Sequence, residues 1–159
     1  MAIAYIIPGA CQVKIQPTAG ALQELGYTAE GVHVREEVRR VNIPVDTNGG
    51  TEGIPGDIQY LGEMHFITME LTKWDSAQVA LIDPKLAGGT QGQMGTVGTL
   101  MSSVSFRVLL NSAVLPRNYL VCFPLGAYET NRGTKYARQV ITWEAYPNAS
   151  NVIWNVTLT

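Results

Sequence analysis

Residues 41–63 read VNIPVDTNGGTEGIPGDIQYLGE, and the middle of this stretch, residues 46–57, has the composition of a long loop between two strand-like segments. The loop holds four glycines and one proline, and Ile54 is its single aliphatic side chain. A compact domain seldom carries so long a loop unless the loop is functional or is a linker. Four interpretations follow: a phosphate cradle, a metal-binding loop, a disordered linker, or an arm that contacts another subunit.

The composition describes one domain with few charges. A chain of 159 residues buries roughly 70% of its unfolded surface, so we predict a single domain over residues 1–159 without stabilising cross-links. Charged residues make up 15% of the chain, against roughly 25% in a typical soluble domain. This shortage predicts that other copies cover much of the surface. The net charge of −2 provides no basic field for nucleic acid or an anionic membrane.

The cysteines and the N-terminus limit the cellular context. Cys11 and Cys122 lie far apart in strand-like sequence. A disulfide between them is one alternative, but two buried free thiols are favoured. No apolar run reaches the length of about 18 residues that spans a membrane. The N-terminal sequence MAIAYIIPGAC has no basic residue before Lys14 and only a short apolar core, so it does not match a secretory signal.

Apolar residues alternate with a period of two, which predicts strands. In the long segment before the loop, Val32 and Val34 share one face, whereas Val41 and Ile43 share the other. The core-facing side is therefore predicted to switch near residues 37–40, through a bulge or a bend between two sheets.

Further strands are predicted by the same alternation, and β-branched and aromatic residues fill them. Their sequences are MHFITMELTKW (64–74), VSFRVLL (104–110), NYLVCFPL (118–125), KYARQVITWEAY (135–146) and NVIWNVTL (151–158). In the last of these, the residues predicted to face the core are Val152, Trp154, Val156 and Leu158.

One helix is predicted, over residues 76–83. Asp75 can cap its N-terminus, and Pro84 stops it. Its apolar residues run most of the way round, which predicts packing on several sides. Many strands with one helix predict a mainly β fold: a two-sheet β-sandwich or barrel with one short flanking helix.

The glycine runs GGTEGIPG and GGTQGQMGTVG do not form a phosphate site by sequence rules. A P-loop needs Gly-Lys-Ser/Thr at the start of a helix, and a dinucleotide site needs a βαβ unit. Neither run has that lysine or a following helix. The phosphate-cradle interpretation is therefore discarded.

The residues that could form a metal site or an enzyme site also fit an ordinary structural role. Glu63 and His65 share one strand face and Asp57 lies nearby, which are groups that metals bind. A single strand histidine is more often a satisfied polar residue, so no metal ligand is predicted. The chain has two histidines and no nucleophile elbow. We predict no catalytic residue, no cofactor and no enzyme activity.

A row of alternating charges lies on one face of the long strand. It consists of His33, Arg35, Glu37 and Arg39, with Glu36 and Arg40 beside it. Such a row is typical of a solvated face or of a contact between subunits, where opposite charges on adjacent strands pair.

In their order along the chain, these features resemble the tail tube proteins of tailed bacteriophages and, more distantly, the tube proteins of contractile injection systems. The long charged strand GVHVREEVRRVNIPVD precedes the glycine-rich loop, the strand YLGEMHFITMELTKWD returns, and the helix SAQVALID follows. The resemblance covers residues 30–86 best, and residues 88–103 depart from it.

The resemblance implies a structural virion protein whose copies form stacked rings, six to a ring, around a passive conduit for DNA ejection. The implied partners are further copies of the chain and other tail proteins (tape measure, terminator and baseplate), with double-stranded DNA only in passing and no membrane. The implied location is the phage tail, assembled in the host cytoplasm. Two alternatives stay open: another virion protein, such as a tail terminator, neck or capsid decoration protein, or a small ligand-binding β-barrel.

The resemblance also implies that the long loop lies against a neighbouring subunit or ring. Its residues are Asp46, Thr47, Asn48, Gly49, Gly50, Thr51, Glu52, Gly53, Ile54, Pro55, Gly56 and Asp57. Glu63 and Glu70 occupy polar positions of the returning strand and are candidates for the lining of the bore, although Glu70 can also pair with Lys73 on the outside.

Overall fold

Seven strands and one helix form in the part of the chain that the computed structural model describes. That part comprises residues 10–44, 56–82, 97, 105–112, 116–131 and 138–157, with the backbone alone for residues 125–131. The elements are β1 (Gln12–Pro17), β2 (Gln23–Ile43), β3 (Asp57–Trp74), α1 (Ser76–Ile82), β4 (Phe106–Asn111), β5 (Arg117–Asn131), β6 (Arg138–Tyr146) and β7 (Trp154–Asn155). The prediction of a mainly β fold with one short helix is confirmed.

The described strands form a single antiparallel sheet in the order β4-β1-β2-β3-β6-β5-β7. β4 also pairs with β5, so the six strands β4, β1, β2, β3, β6 and β5 form a closed ring of strand pairings. The predicted division into two sheets is not confirmed, because one continuous ladder connects all seven strands.

Two long strands make this continuity possible because each changes its partner part of the way along. β2 pairs with β1 over Gln23–Tyr27 and with β3 as far as Ile43, and its register with β3 shifts between Thr28 and Val32. β5 pairs with β4 over Arg117–Cys122 and with β6 up to Asn131, with a register shift after Pro124. Extra residues in one strand bend it and increase its twist. The bends let one sheet curve around its own apolar side chains.

The core lies on the concave face of this sheet. The inward positions of β3, β4 and β6 alternate as the sequence predicts, and Trp143 at the centre meets Phe106 edge-on, with 5.5 Å between ring centroids. These inward residues are Ile67, Met69, Leu71, Phe106, Val108, Leu110, Ile141, Trp143 and Ala145. Val13, Ile15 and Leu25 complete the core from β1 and β2.

The helix forms where it is predicted but buries less of its surface. The Asp75 carboxylate accepts a hydrogen bond from the Ala77 N–H at 2.8 Å, which confirms the N-cap. Only Val79 and Ile82 are buried among its residues, while Leu81 is 41% exposed. The prediction of packing on several sides is wrong for the single chain, because two buried residues three positions apart define one face. Asp83 lies outside the described residues.

The inward positions predicted near the C-terminus are also wrong. Val152, Trp154 and Val156 are exposed, and Ile153 is the buried residue. The Asn148 carboxamide oxygen accepts hydrogen bonds from the N–H groups of Ser150 and Val152, so a tight turn fixes the chain before β7. With apolar residues at 152, 153 and 154, the alternation alone fits either face. Leu158 lies outside the described residues.

Both cysteines are free and buried, as the sequence favours. Burial raises the pKa of the Cys11 thiol to about 11 and raises that of Cys122 further. Both side chains are therefore protonated near neutral pH and pack as small apolar groups.

Candidate assembly surface

β2 and β3 extend together beyond the rest of the sheet. β6 pairs with β3 only from Leu71 to His65, whereas the β2–β3 pairing continues to Ile43 opposite Asp57. The two segments Glu37–Ile43 and Asp57–Glu63 therefore form a two-stranded extension, here called the ribbon. A hairpin of two strands is at best marginally stable in water without further packing. The ribbon is therefore suited to packing against another protein surface.

The ribbon carries large apolar side chains on both of its faces. They are Val38, Val41, Ile43, Ile58, Tyr60 and Leu61, with exposed fractions between 41% and 61%. The register places Val38 and Tyr60 on the face that continues the core, and Val41 and Ile43 on the opposite face. Contiguous exposed apolar surface on a folded chain marks an interaction site.

The predicted switch of the core face within β2 is corrected by this arrangement. β2 keeps its alternation, and the irregularity lies opposite it in β3, where Leu61 is left unpaired between Gly62 and Tyr60. Gly62 has a φ of 112°, in the region that favours glycine. Val41 and Ile43 therefore lie on the face away from the core and are exposed on the ribbon, where no second sheet covers them among the described residues.

Two strand edges have no partner among the described strands. β2 pairs with β1 only up to Tyr27, so its edge from Glu30 to Ile43 is open on that side. β5 pairs with β4 only up to Cys122, so its edge from there to Asn131 is open. These edges bound the stretch β2-β3-β6-β5 on its two sides. Because every pairing is antiparallel, β2 and β5 run in opposite directions.

The predicted charge row lies on one exposed face of β2, at the open edge. His33, Arg35, Glu37 and Arg39 are directly opposite Thr68, Phe66, Met64 and Gly62 of β3. The Arg35 guanidinium lies 4.6 Å from the centroid of the Phe66 ring and 3.7 Å from the Glu37 carboxylate. Glu36 and Arg40 point to the other face, because neighbouring residues of a strand alternate.

The two candidates for the bore lining lie on opposite faces of β3. Glu70 is on the face away from the core and pairs with Arg138 at 2.6 Å, while the Lys73 ammonium lies over the Tyr27 ring. Glu63 is on the core-facing side, where its carboxylate lies 3.7 Å from His65 Nε2. One face of β3 cannot present both acids.

Most of the predicted assembly loop, from Asp46 to Pro55, lies outside the described residues. Its last two residues close the end of the ribbon. The Gly56 N–H donates to the Ile43 carbonyl at 3.0 Å, and the Asp57 side chain accepts a hydrogen bond from the Ile58 N–H at 2.7 Å. The ribbon therefore leads directly into the loop.

A polar cluster at the base of the ribbon was not predicted from the sequence. Arg117 donates to the Glu36 carboxylate at 3.1 Å and to the Tyr119 hydroxyl at 3.0 Å, and lies 4.5 Å from the centroid of the Trp154 indole. Burial raises the pKa of Tyr119, and Arg117 opposes that shift. These residues come from β2, β5 and β7, so sequence spacing gives no sign of the cluster.

A groove lies on the face of β2, β3 and β6 away from the core. It has a volume of about 400 Å³ and is bounded by the bulge at residues 29–31, His33, Glu70 and Arg138. The Glu70–Arg138 ion pair occupies its wall. Among the described residues, no group of three or more His, Cys, Asp or Glu side chains is placed to hold a metal ion.

The chain matches no model of a known protein family and no curated protein. In the described part of the chain, no helix has the length and apolarity needed to span a membrane. The structural features that bear on function are therefore the ribbon and the open strand edges.

Proposed function

We propose that this chain is a self-assembling structural protein that forms the tail tube of a bacteriophage, as its resemblance implies. The observation that carries the proposal is the 21-residue strand β2, whose second half is exposed and whose outer edge has no described partner. An open edge of this length is a template for pairing with another chain. A role in assembly gives that edge a partner and covers the apolar side chains of the ribbon.

The open edges fit a ring of copies. β2 and β5 bound the same four-stranded stretch and run antiparallel to each other. The β2 edge of one copy can therefore join the β5 edge of the next and keep the whole sheet antiparallel. Six copies, the number that the resemblance implies, would contribute four strands each to a wall of 24 strands. Such closure removes every open edge from the ring.

The ribbon fits a contact between rings. It continues β2 and β3 past the end of β6, along the direction of the strands. At about 3.4 Å per residue, its seven-residue strands project by roughly 20 Å. The loop of residues 46–57 follows at its tip. In the proposed tube, the ribbon and loop lie against the neighbouring ring.

In a ring of this kind, the bore is lined by the face of the sheet that points away from the core. On that face, the described charged residues of β2 from Val32 to Arg39, of β3 from Gly62 to Leu71 and of β6 are balanced in sign. They are Arg35, Glu37, Arg39, Glu70, Arg138 and Glu144. Glu70 belongs to this lining and Glu63 does not. Six copies at −2 each give a ring of −12, which suits a conduit that does not hold DNA.

We expect assembled protein to show no binding of double-stranded DNA at physiological salt. Affinity for phosphates requires an excess of cationic side chains, and it rises as salt falls. A gel-shift titration of tubes with a DNA fragment measures this. The variant Glu70→Lys/Glu144→Lys should introduce salt-sensitive binding, whereas Glu24→Lys/Glu63→Lys, with the same net charge, should not. Micromolar binding by the unmodified tube would contradict the conduit.

Reversal of Arg39 to Glu should reduce tube yield while leaving the subunit folded. Arg39 is exposed at the open edge of β2, and its described polar contact is a bond to the Met64 sulfur at 3.3 Å. Cross-strand charge pairs contribute roughly 0.2–1 kcal/mol each, and six contacts per ring multiply the effect. Lys73→Glu, at the far end of β3, is the matched control. A lowered melting temperature with normal tube yield would assign Arg39 to the monomer instead.

Electron microscopy of the purified chain over a range of concentrations tests the proposal. Rings that stack into tubes are expected. Single rings that never stack would favour a tail terminator or neck protein, and binding to capsid surfaces would favour a decoration protein. A strictly monomeric chain at high concentration, by light scattering, would favour the ligand-binding barrel.

A further inference from the structure

His65 is buried at the point where the ribbon leaves the body of the protein. Its side chain is 2% exposed, and neither ring nitrogen has a hydrogen-bond partner among the described residues. Two carboxylates flank the ring: Glu36 Oε1 lies 4.0 Å from Nδ1, and Glu63 Oε1 lies 3.7 Å from Nε2. Buried polar atoms without partners are rare and call for an explanation.

The two carboxylates belong to the two different strands that continue into the ribbon. Glu36 of β2 is directly opposite His65, and Glu63 precedes His65 by two residues on the same face of β3. Beyond this level β6 no longer pairs with β3. A bond from each ring nitrogen would therefore tie both strands of the ribbon to one buried side chain.

The protonation state of His65 decides how many of these bonds can form. A neutral imidazole has one N–H donor and one acceptor nitrogen, whereas an imidazolium has two donors. Both flanking groups are carboxylates, which only accept when ionised. The neutral ring thus leaves one carboxylate facing an acceptor nitrogen. The imidazolium matches both, through charge-assisted hydrogen bonds that are shorter and stronger than neutral ones.

The other groups around His65 determine which of the two carboxylates needs the second ring proton in order to form a hydrogen bond. From β5, Arg117 donates to Glu36 at 3.1 Å, and the Tyr119 ring meets the imidazole edge-on at 5.8 Å. From β6, the facing residue is the uncharged Ala145. Slight desolvation, then the charge and a hydrogen bond of Glu63, raise the pKa of Tyr60, which is largely exposed. Glu36 keeps Arg117 as a cationic partner whether His65 is neutral or protonated. Glu63 is therefore the carboxylate that gains a hydrogen bond when the ring takes up its second proton.

We propose that His65 is a proton-operated clamp at the base of the ribbon, closed when both ring nitrogens are protonated. Histidine is the side chain that changes charge between pH 5 and 8 in water, and glutamates are ionised over that range. Because the second proton adds a donor, the clamp is closed at the acidic end and opens as pH rises. The device is intramolecular, so it does not depend on the proposed tube.

The chain offers a matched control, since it has two histidines and His33 is exposed on the opposite face of the sheet. Amide hydrogen exchange of the full chain, below the concentration at which it assembles, measures the clamp. Protection factors for residues 58–64, corrected for intrinsic rates, should be about tenfold higher at pH 5.5 than at pH 8. His33→Gln should keep this difference, and His65→Gln should lose it.

The unmodified protein provides a second measurement that does not require His65→Gln to fold. In a nuclear magnetic resonance titration from pH 5 to 8, the signals of the His65 ring carbons and of the Glu63 carboxyl carbon should change together, in one common transition. Equal pH dependence in both histidine variants would overturn the clamp. So would a His65 ring that keeps one proton over this range, or one that titrates while the Glu63 carboxyl is unchanged.

Discussion

Replacement of residues 39–62 by a two-residue Asn-Gly turn is expected to leave the subunit folded and to abolish tube growth. Val38 and Glu63 are directly opposite each other, so a tight turn can join them. None of the described residues between them is buried, and shortening a loop costs little stability. We expect a melting temperature within a few degrees of the unmodified chain, measured by circular dichroism, and no tubes in electron micrographs.

Side-chain substitutions in a ribbon of unchanged length test whether its apolar surface is itself needed for tube growth. Ile58→Ser/Tyr60→Ser keeps the ribbon and removes two side chains that are 50% and 61% exposed. Tube yield should fall with this variant. Leu81→Ser removes a similarly exposed apolar side chain from α1 and should leave the yield unchanged. Normal tubes from the shortened chain, or an unfolded shortened subunit, would contradict the assignment of the ribbon to assembly.

Replacement of Trp143 by alanine is expected to have the largest effect on stability. The indole is fully buried at the centre of the core and contacts Phe106 edge-on. Truncation of a buried aromatic residue costs about 3–5 kcal/mol through lost burial and the cavity that remains. The indole N–H has no described hydrogen-bond partner, so no second buried group is left unpaired. Urea unfolding measures this loss of unfolding free energy, provided that the dependence on urea concentration has the same slope in both proteins.

Trp154 supplies the control for the same chemical change. Its indole is 36% exposed and rests on Arg117, a stacking contact worth about 0.5–1 kcal/mol at an exposed site. Trp154→Ala should therefore lower the free energy of unfolding by roughly 1 kcal/mol. Equal losses for the two variants would mean that the apolar centre of the sheet does not lie at Trp143.

The strands that alternate strictly were predictable from the sequence. In β3 from His65 to Leu71 and in β6, each core position is followed by a polar or partly exposed one, so only one register buries the apolar set. In β4 the inward positions were also predicted, although Leu109 between them is buried as well. The Asp75 cap was also predictable, because its chemistry is local. At β7 the prediction failed, since three consecutive apolar residues allow both registers and the turn at Asn148 decides between them.

The features that define the candidate site depend on contacts between distant parts of the chain. The exposure of Val38 and Tyr60, on the face that continues the core, follows from where β6 stops pairing with β3, which no local pattern encodes. The pairing of β2 with both β1 and β3 likewise joins the two predicted sheets into one. The environment of His65 requires Arg117 and Tyr119 from β5. From sequence alone, His65 and Glu63 could be placed on one strand face but not in a buried cluster.

Amide hydrogen exchange on assembled protein and on the isolated subunit tests the central claim, that the open edges of β2 and β5 join neighbouring copies. The chain with the shortened ribbon provides the isolated state. Assembly should slow exchange at residues 31–38 of β2 and at residues 123–131 of β5, because edge amides gain hydrogen-bond partners there. Unchanged exchange at both edges, with protection gained elsewhere, would contradict the claim.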